Sequence, residues 1–304
     1  MGPAHVAPRH AGAAALRQVL ADYVALTKPK VQSLLLLTTV TTMYVAGDPS
    51  VGLVVVTVIG GYLAAGGAGA VNHYYDRDID ARMARTADRP IPSGRVAPAA
   101  ALWFGIVLAA LSFALLASVV NLLSALLALS GFLGYTLVYT LWLKRRTVQN
   151  IVIGGAAGAV PPLVGWAAVT GEVTGTSLYL FAIVFFWTPP HFWALSLLMK
   201  DEYAKVGVPM MPVVRGEAET RRQILLYSVL LYGVTQLPFC AGGFGSVYLV
   251  CSVLLGALFI AGAVVLARRA DRRSALRLYL YSLAYLAALF AAMVVDAKVG
   301  WVFS

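Results

Sequence analysis

The chain predicts an all-α polytopic membrane protein with nine transmembrane helices, and three observations lead there. Of its 304 residues, 60% are hydrophobic and only 12% charged, with a mean hydropathy of +0.81. No soluble domain of this length carries that balance comfortably. Apolar runs of about 17 to 25 residues, the length that crosses a bilayer, recur along the chain. Finally, 22 of the 23 basic residues fall in alternate connecting segments, as they do when Lys and Arg gather on the cytoplasmic side of a membrane.

The elements follow in order. Residues 1–22 contain two His and two Arg but no apolar core followed by a small-residue cleavage site, so they read as a mobile arm and not as a removable signal peptide. Residues 23–304 form a single intramembrane domain. Its spans are expected near 31–46, 51–75, 101–119, 121–143, 149–169, 178–199, 224–242, 247–267 and 278–296. The first is short and is expected to begin earlier, around Tyr23, with Pro29 near its start or kinking it. The basic segments are the arm, 76–99, Lys144 to Arg146, 200–222 and 268–277, while Lys298 lies on the other side. They set the N-terminus inside and the C-terminus outside. The net charge of +10 is then a topology signal, and nucleic acid is excluded as a partner because no soluble domain presents a basic surface. Glycines at 60–69 and 154–158 provide small faces for close helix packing. Pro161 and Pro162 in the fifth span, and Pro189 and Pro190 in the sixth, interrupt the hydrogen-bond ladder, which suggests irregular backbone around an internal cavity. Cys240 and Cys251 flank a short outer turn without metal-ligand spacing; a disulfide there competes with the reading of two small buried hydrophobes.

Chemistry concentrates just past the second span. Asn72, Asp76 and Asp80 are spaced by four, and a four-residue step turns a helix about 40° past a full circle, so the three side chains share one face at the membrane edge. Carboxylates at this depth are expensive and mark function. Mg²⁺ takes oxygen ligands, often one or two carboxylates plus phosphate oxygens, so the site predicts a phosphorylated substrate. Arg85 and Arg89 follow closely and suit a diphosphate whose charge the metal alone does not neutralise. Arg82 and Arg95 read equally well as topology anchors. Asp78, about 200° round the helix from Asp76, is expected to pair with Arg82.

A second acidic cluster, Lys200-Asp-Glu-Tyr-Ala-Lys205, follows the sixth span on the same side of the membrane. With the first it would supply Asp201 to a second metal contact on one diphosphate. Within the sixth span, His191 follows the Pro pair. Two readings stand: it satisfies a backbone carbonyl that the prolines free, or it serves as an axial ligand or base for a large acceptor in the bundle.

These residues resemble the UbiA superfamily of intramembrane prenyltransferases through Asn72-x-x-x-Asp76-x-x-x-Asp80 on a nine-span chain. The closer resemblance is to its haem-modifying branch, the protohaem IX farnesyltransferases or haem O synthases. It rests on Thr27-Lys-Pro29, Tyr75-Asp-Arg-Asp-Ile-Asp80, Arg85-Thr-x-x-Arg89-Pro, Gly158-Ala-x-Pro-Pro162, Pro190-His-Phe192 and Tyr203-x-x-x-Gly-Val-Pro-Met-x-Pro-Val-Val214. The motifs cover residues 27 to about 216. One departure stands out: many members carry a second Asp-x-x-x-Asp, whereas here Lys205 follows Asp201 by four.

The resemblance implies a bundle with a central cavity open toward the cytoplasmic side, in the plasma (inner) membrane. It implies Mg²⁺ on Asp76, Asp80 and Asp201, farnesyl diphosphate held with help from Lys28, Arg85, Arg89 and Lys205, and Asn72 completing the metal shell or bonding the diphosphate. It further implies haem b as acceptor, with His191 as its contact, giving haem O. Membrane lipid surrounds the chain, and a downstream haem-modifying enzyme or oxidase assembly factors would receive the product. Three alternatives stay open: the same chemistry on an aromatic or quinone precursor, CDP-alcohol phosphotransfer, and cation transport. The second lacks its Asp-Gly-x-x-Ala-Arg pattern, and the third calls for carboxylates at mid-membrane instead of on one face.

Overall fold

The computed structural model describes residues 9–302, and within them every regular element is helical. Of the arm expected over 1–22, residues 1–8 lie outside the described residues. From Arg9 the chain is helix α1 (Arg9–Leu26). The first expected span does not begin at Tyr23: Thr27 and Lys28 break the chain, and α2 (Pro29–Ala46) starts with Pro29 in its first turn, where the missing N–H costs nothing. Then come α3 (Val51–Asp80), α4 (Pro98–Val120), α5 (Leu122–Leu143), α6 (Asn150–Thr170) and α7 (Gly175–Leu198). Two short helices, α8 (Lys200–Lys205) and α9 (Met211–Val214), precede α10 (Gly216–Cys240), α11 (Ser246–Arg269) and α12 (Arg272–Val302).

Eight of these, α3 to α7 and α10 to α12, are long and apolar enough to cross a membrane. The first expected span corresponds to α2, which is less apolar because it carries Lys30, Gln32, Ser33 and four threonines. Its buried residues are Gln32, Thr38, Thr39, Thr41, Thr42 and Met43. A helix that buries hydroxyls must satisfy them internally. Thr38 and Thr41 do so by bonding back to the carbonyls of Leu35 and Leu37 at 2.8 and 2.7 Å.

Neighbouring helices pack around a closed ring. α3 packs on α2 and α4, α4 on α5, α5 on α6, α6 on α7, α7 on α10 and α12, α10 on α11, and α12 returns to α2. Glycines set the tightest crossings. A Cβ on Gly67 would lie 2.6 Å from the Gly105 carbonyl oxygen, and one on Gly105 would lie 2.7 Å from that of Gly67, so α3 and α4 touch backbone to backbone. Gly165 meets Thr39 in the same way, joining α6 to α2. The largest core lies among α7, α10, α11 and α12, around Trp193, Tyr248, Phe259, Tyr285 and Phe290. Leu111, Leu126, Leu230, Leu254 and Leu258 remain exposed on an apolar exterior that suits lipid.

The proline pairs act differently from one another. In α6 the interruption falls at Ala159, between Gly158 and Val160, and Pro161 and Pro162 open the helix that follows. In α7 the helix runs on through Pro189 and Pro190. Lys298, the one basic residue outside the basic segments, pairs with Asp48 and the Gly47 carbonyl beside the α2–α3 turn. Cys240 and Cys251 are both free thiols.

Candidate functional site

The end of α3 buries its polar face. Asn72, Asp76 and Asp80 are 2%, 1% and 4% exposed, although the helix reaches the basic side of the bundle here. Buried carboxylates need partners, and cations come from three other segments. Lys144, at the end of α5, pairs with Asp76 Oδ2, and Asn72 Nδ2 donates to the same oxygen at 2.8 Å. Arg89, from the run of turns over 81–97, lies 2.7 Å from Asp80 Oδ2. Lys28 Nζ donates to Asn72 Oδ1 at 2.5 Å, and Asn72 Nδ2 also reaches Thr140 Oγ1 at 3.1 Å.

Lys28 reaches this position through an uncommon backbone. Its φ and ψ of 54° and 57° put a non-glycine residue in the left-handed region, directly before a proline. Such strain persists where the surroundings hold it, frequently at functional sites. Burial, with Arg89 and Lys144 nearby, lowers the Lys28 amine to about 7 despite the attraction of Asp76 and Asp80. Arg89 and Lys144 thus balance the two carboxylates, and Lys28 adds an amine that an incoming anion would hold protonated.

Lys28 also lines an apolar cavity of about 240 Å³ that runs along α2, α3, α5 and α6, past Gly69, Tyr135, Gly158 and Pro161. The interruption in α6 forms part of its wall, as the prolines suggested. The charged cluster and the apolar cavity are therefore continuous at one residue.

The remaining expected residues lie elsewhere. Asp201 and Lys205 are exposed on α8, and Arg85 is exposed in the turns. Among the described residues no three of His, Cys, Asp and Glu gather closely enough to hold a metal, so neither Asp201 nor Glu202 joins Asp76 and Asp80. The inward carboxylate of that helix is Glu202, whose Oε2 is buried with no hydrogen-bond partner. Beside it Tyr203 is buried against Ile79, Met83 and Tyr139, and burial raises its phenol above the ordinary value. Asp78 pairs not with Arg82 but with Arg145, through two bonds of 2.8 and 2.6 Å, because Arg145 comes over from the end of α5 while Arg82 bonds the Asp78 carbonyl. Arg95 is an anchor: it bonds Asp22 of α1 at 2.9 Å and the Asp88 carboxylate and carbonyl.

Sequence reasoning missed Lys144 and Arg145. Lys144 and Arg145 were read as topology charges, yet they directly follow a span on the acidic motif's side, a signal that would have found them. His191 stands apart from the acidic cluster, between α7 and α12. Its Nδ1 is 2.7 Å from Ser282 Oγ, and its ring stacks on Trp187 and Tyr279. It bonds a side-chain hydroxyl and not a carbonyl freed by the prolines.

The donor set fits Mg²⁺. Asp76 Oδ1 is a buried anionic oxygen with no hydrogen-bond partner, Asp80 and the Asn72 amide lie on the same face, and the surrounding cations suit phosphate oxygens that would complete the shell.

The sequence profile of the UbiA prenyltransferase family matches residues 35–293. A protoheme IX farnesyltransferase of Chloroflexus aurantiacus is 55% identical over 284 residues, covering 93% of this chain and 48% of that protein. One from Symbiobacterium thermophilum is 56% identical over 283 residues, covering 92% of this chain and 95% of that one. The chain thus spans about half the length of several curated relatives and nearly all of another. Among solved structures, a UbiA homologue from Archaeoglobus fulgidus bound to GPP and Mg²⁺ superposes with a TM-score of 0.65 at 18% identity, covering 90% of this chain and 99% of that one. One described as a digeranylgeranylglyceryl phosphate synthase gives 0.76 at 18%, covering 92% and 99%. At such identities the likeness is one of fold.

Proposed function

The chain belongs to the UbiA prenyltransferase family, a multi-pass membrane protein, and from that premise we propose that it transfers a farnesyl group from farnesyl diphosphate to a vinyl group of haem b, giving haem O. One observation carries the substrate class: Lys28 both bonds Asn72 in the charged cluster and lines the apolar cavity. A diphosphate with an apolar tail needs those two environments in continuity. The haem acceptor is supported by relatives named protoheme IX farnesyltransferase at 55 and 56% identity.

Asp76 and Asp80, with the Asn72 amide, would hold Mg²⁺. Asp201 was expected as a third carboxylate, but neither it nor Glu202 lies close enough to join them. When bound, Mg²⁺ supplies positive charge that stabilises the departing diphosphate. Lys28, Lys144 and Arg89 surround the same position and take up charge as the allylic C–O bond breaks and its electron pair leaves with the diphosphate. Arg85 and Lys205, exposed above the cluster, would guide the incoming anion. The apolar cavity holds the tail and keeps water from the allylic cation. The vinyl π pair then bonds farnesyl C1, and water adds to the cation left on haem with loss of a proton, leaving a hydroxyethylfarnesyl group.

In this reading α2 is a ninth crossing, α1 leads into one intramembrane domain, and the cluster faces the cytoplasm of a plasma membrane with the C-terminus outside. The basic segments support that orientation.

The test is incubation of the purified protein in detergent with haem b, farnesyl diphosphate and Mg²⁺, read by mass spectrometry. Haem heavier by one hydroxyfarnesyl unit is expected, and its loss with EDTA and with Asp76→Ala would tie the reaction to the site. Unmodified haem together with prenylation of an added aromatic acceptor would replace the acceptor and leave the diphosphate site standing.

A further inference from the structure

The hydroxyl of Ser282 has one proton, and that proton is already used. Ser282 Oγ donates to the Tyr279 carbonyl one turn back in α12, at 2.6 Å. The same oxygen is 2.7 Å from His191 Nδ1. A hydroxyl offers one donor and two lone pairs, so toward His191 it accepts, and Nδ1 is the protonated ring nitrogen. In a neutral imidazole this leaves Nε2 bare. Nε2 has no hydrogen-bond partner among the described residues and, unlike both nitrogens of His73, is not enclosed.

The ring is also fixed in orientation. It stacks on Trp187 at 4.2 Å with 18° between planes and on Tyr279 at 5.0 Å with 28°. Trp187 Nε1 donates to the Ser282 carbonyl at 2.8 Å, which locks α7 and α12 in register at this level. A single α12 turn, Tyr279 to Ser282, thus sets position, plane and tautomer of one histidine.

We propose that Ser282 is a positioning residue for the acceptor: by holding His191 as the Nδ1–H tautomer it presents Nε2 to the haem iron. The assignment rests on haem b being the acceptor. An imidazole that donates its second N–H is the more basic ligand, and loss of such a partner typically costs about 10- to 100-fold in metal affinity.

The experiment titrates ferric haem b into the detergent-solubilised protein without farnesyl diphosphate. Binding is followed by the Soret band, and axial ligation by electron paramagnetic resonance. The parent protein should show imidazole-ligated iron, and His191→Ala should lose that signature. Ser282→Ala should weaken binding about 10- to 100-fold and alter the ligation spectrum, while Ser282→Thr, which keeps the hydroxyl, should stay close to the parent. Pyridine, which has no second nitrogen, should restore a nitrogen ligand to His191→Gly equally well with or without Ser282→Ala, separating loss of positioning from loss of fold. The assignment is overturned by a parent-like affinity and spectrum in Ser282→Ala, by Ser282→Thr behaving as Ser282→Ala, by a parent-like spectrum in His191→Ala, or by failure of pyridine rescue only when Ser282→Ala is added. Absence of haem binding in the parent would instead remove the haem reading itself, and the assignment with it.

Discussion

Arg89 Nη1 lies 2.7 Å from Asp80 Oδ2, a pair in which the carboxylate is nearly sealed and the guanidinium is about a quarter exposed. The exposed side of Arg89 is the one able to turn toward an incoming diphosphate while its stem stays in place. Removing it leaves Asp80 buried without a cation and the leaving group short of one donor. Arg89→Ala should lower kcat/KM for prenyl transfer by about 10²- to 10³-fold, the usual effect of losing a donor to developing charge. Arg89→Lys should recover only part, since an ammonium does not reproduce the planar fork. Initial rates of product formation decide it; a loss below threefold in Arg89→Ala would remove the residue from the mechanism.

Two adjacent carboxylates on α8 separate by burial. Asp201 is exposed, whereas Glu202 Oε2 is buried and unpartnered beside Tyr203. An unpartnered buried acceptor is costly unless a ligand uses it. Glu202→Gln, which removes a buried charge, should therefore raise the melting temperature, while Asp201→Asn stays near the parent. Thermal unfolding of both variants is the measurement, and a lower melting temperature in Glu202→Gln would show that the carboxylate is held by a partner.

The contrast between those neighbours also shows where sequence stops. Apolar run length and charge segregation located the eight apolar helices, because lipid imposes a simple length rule, but not α1, which was read as part of an arm. The i, i+4 spacing located Asn72, Asp76 and Asp80 on one buried face. The partners were not legible: Lys144 and Arg145 come from 67 or 68 residues away, and no local period encodes which cation crosses to which carboxylate. Nor was the Thr27–Lys28 break, since a left-handed lysine before a proline is held by tertiary contacts and not by propensity. Ser282 gave no signal at all, being one hydroxyl in an apolar run.

The contact of α3 with α4 should resist any added carbon. Gly67→Ala would drive a methyl to 2.6 Å from the Gly105 carbonyl, where backbone cannot yield cheaply. It should destabilise the protein by about 1–3 kcal/mol, as overpacking of a tight contact does. Gly158→Ala is the control, because nothing lies within 4 Å of the added carbon. Thermal unfolding in detergent should separate the two, and equal melting temperatures would show that α3 and α4 can part without cost.

Asp296 joins two helices by capping one from the other. Near the end of α12, it accepts from the backbone N–H of Gly245 at 2.6 Å and from that of Tyr248 at 3.0 Å, just where α11 begins. α11 has no side-chain cap of its own, and Gly245, at its N-cap position, has none to give. A carboxylate there satisfies two otherwise orphaned donors and meets the positive end of the helix. Asp296→Ala should cost about 1–2 kcal/mol, the upper part of the range for helix caps, because the site is 7% exposed and water cannot replace the lost acceptor freely. Asp296→Asn keeps one oxygen and should fall between. The same change at Asp48, whose pair with Lys298 is exposed, should cost little, since surface pairs contribute about 0–1 kcal/mol. Melting curves of the three variants give the ranking, and an Asp296→Ala protein as stable as Asp48→Ala would show that α11 holds its start through apolar packing alone.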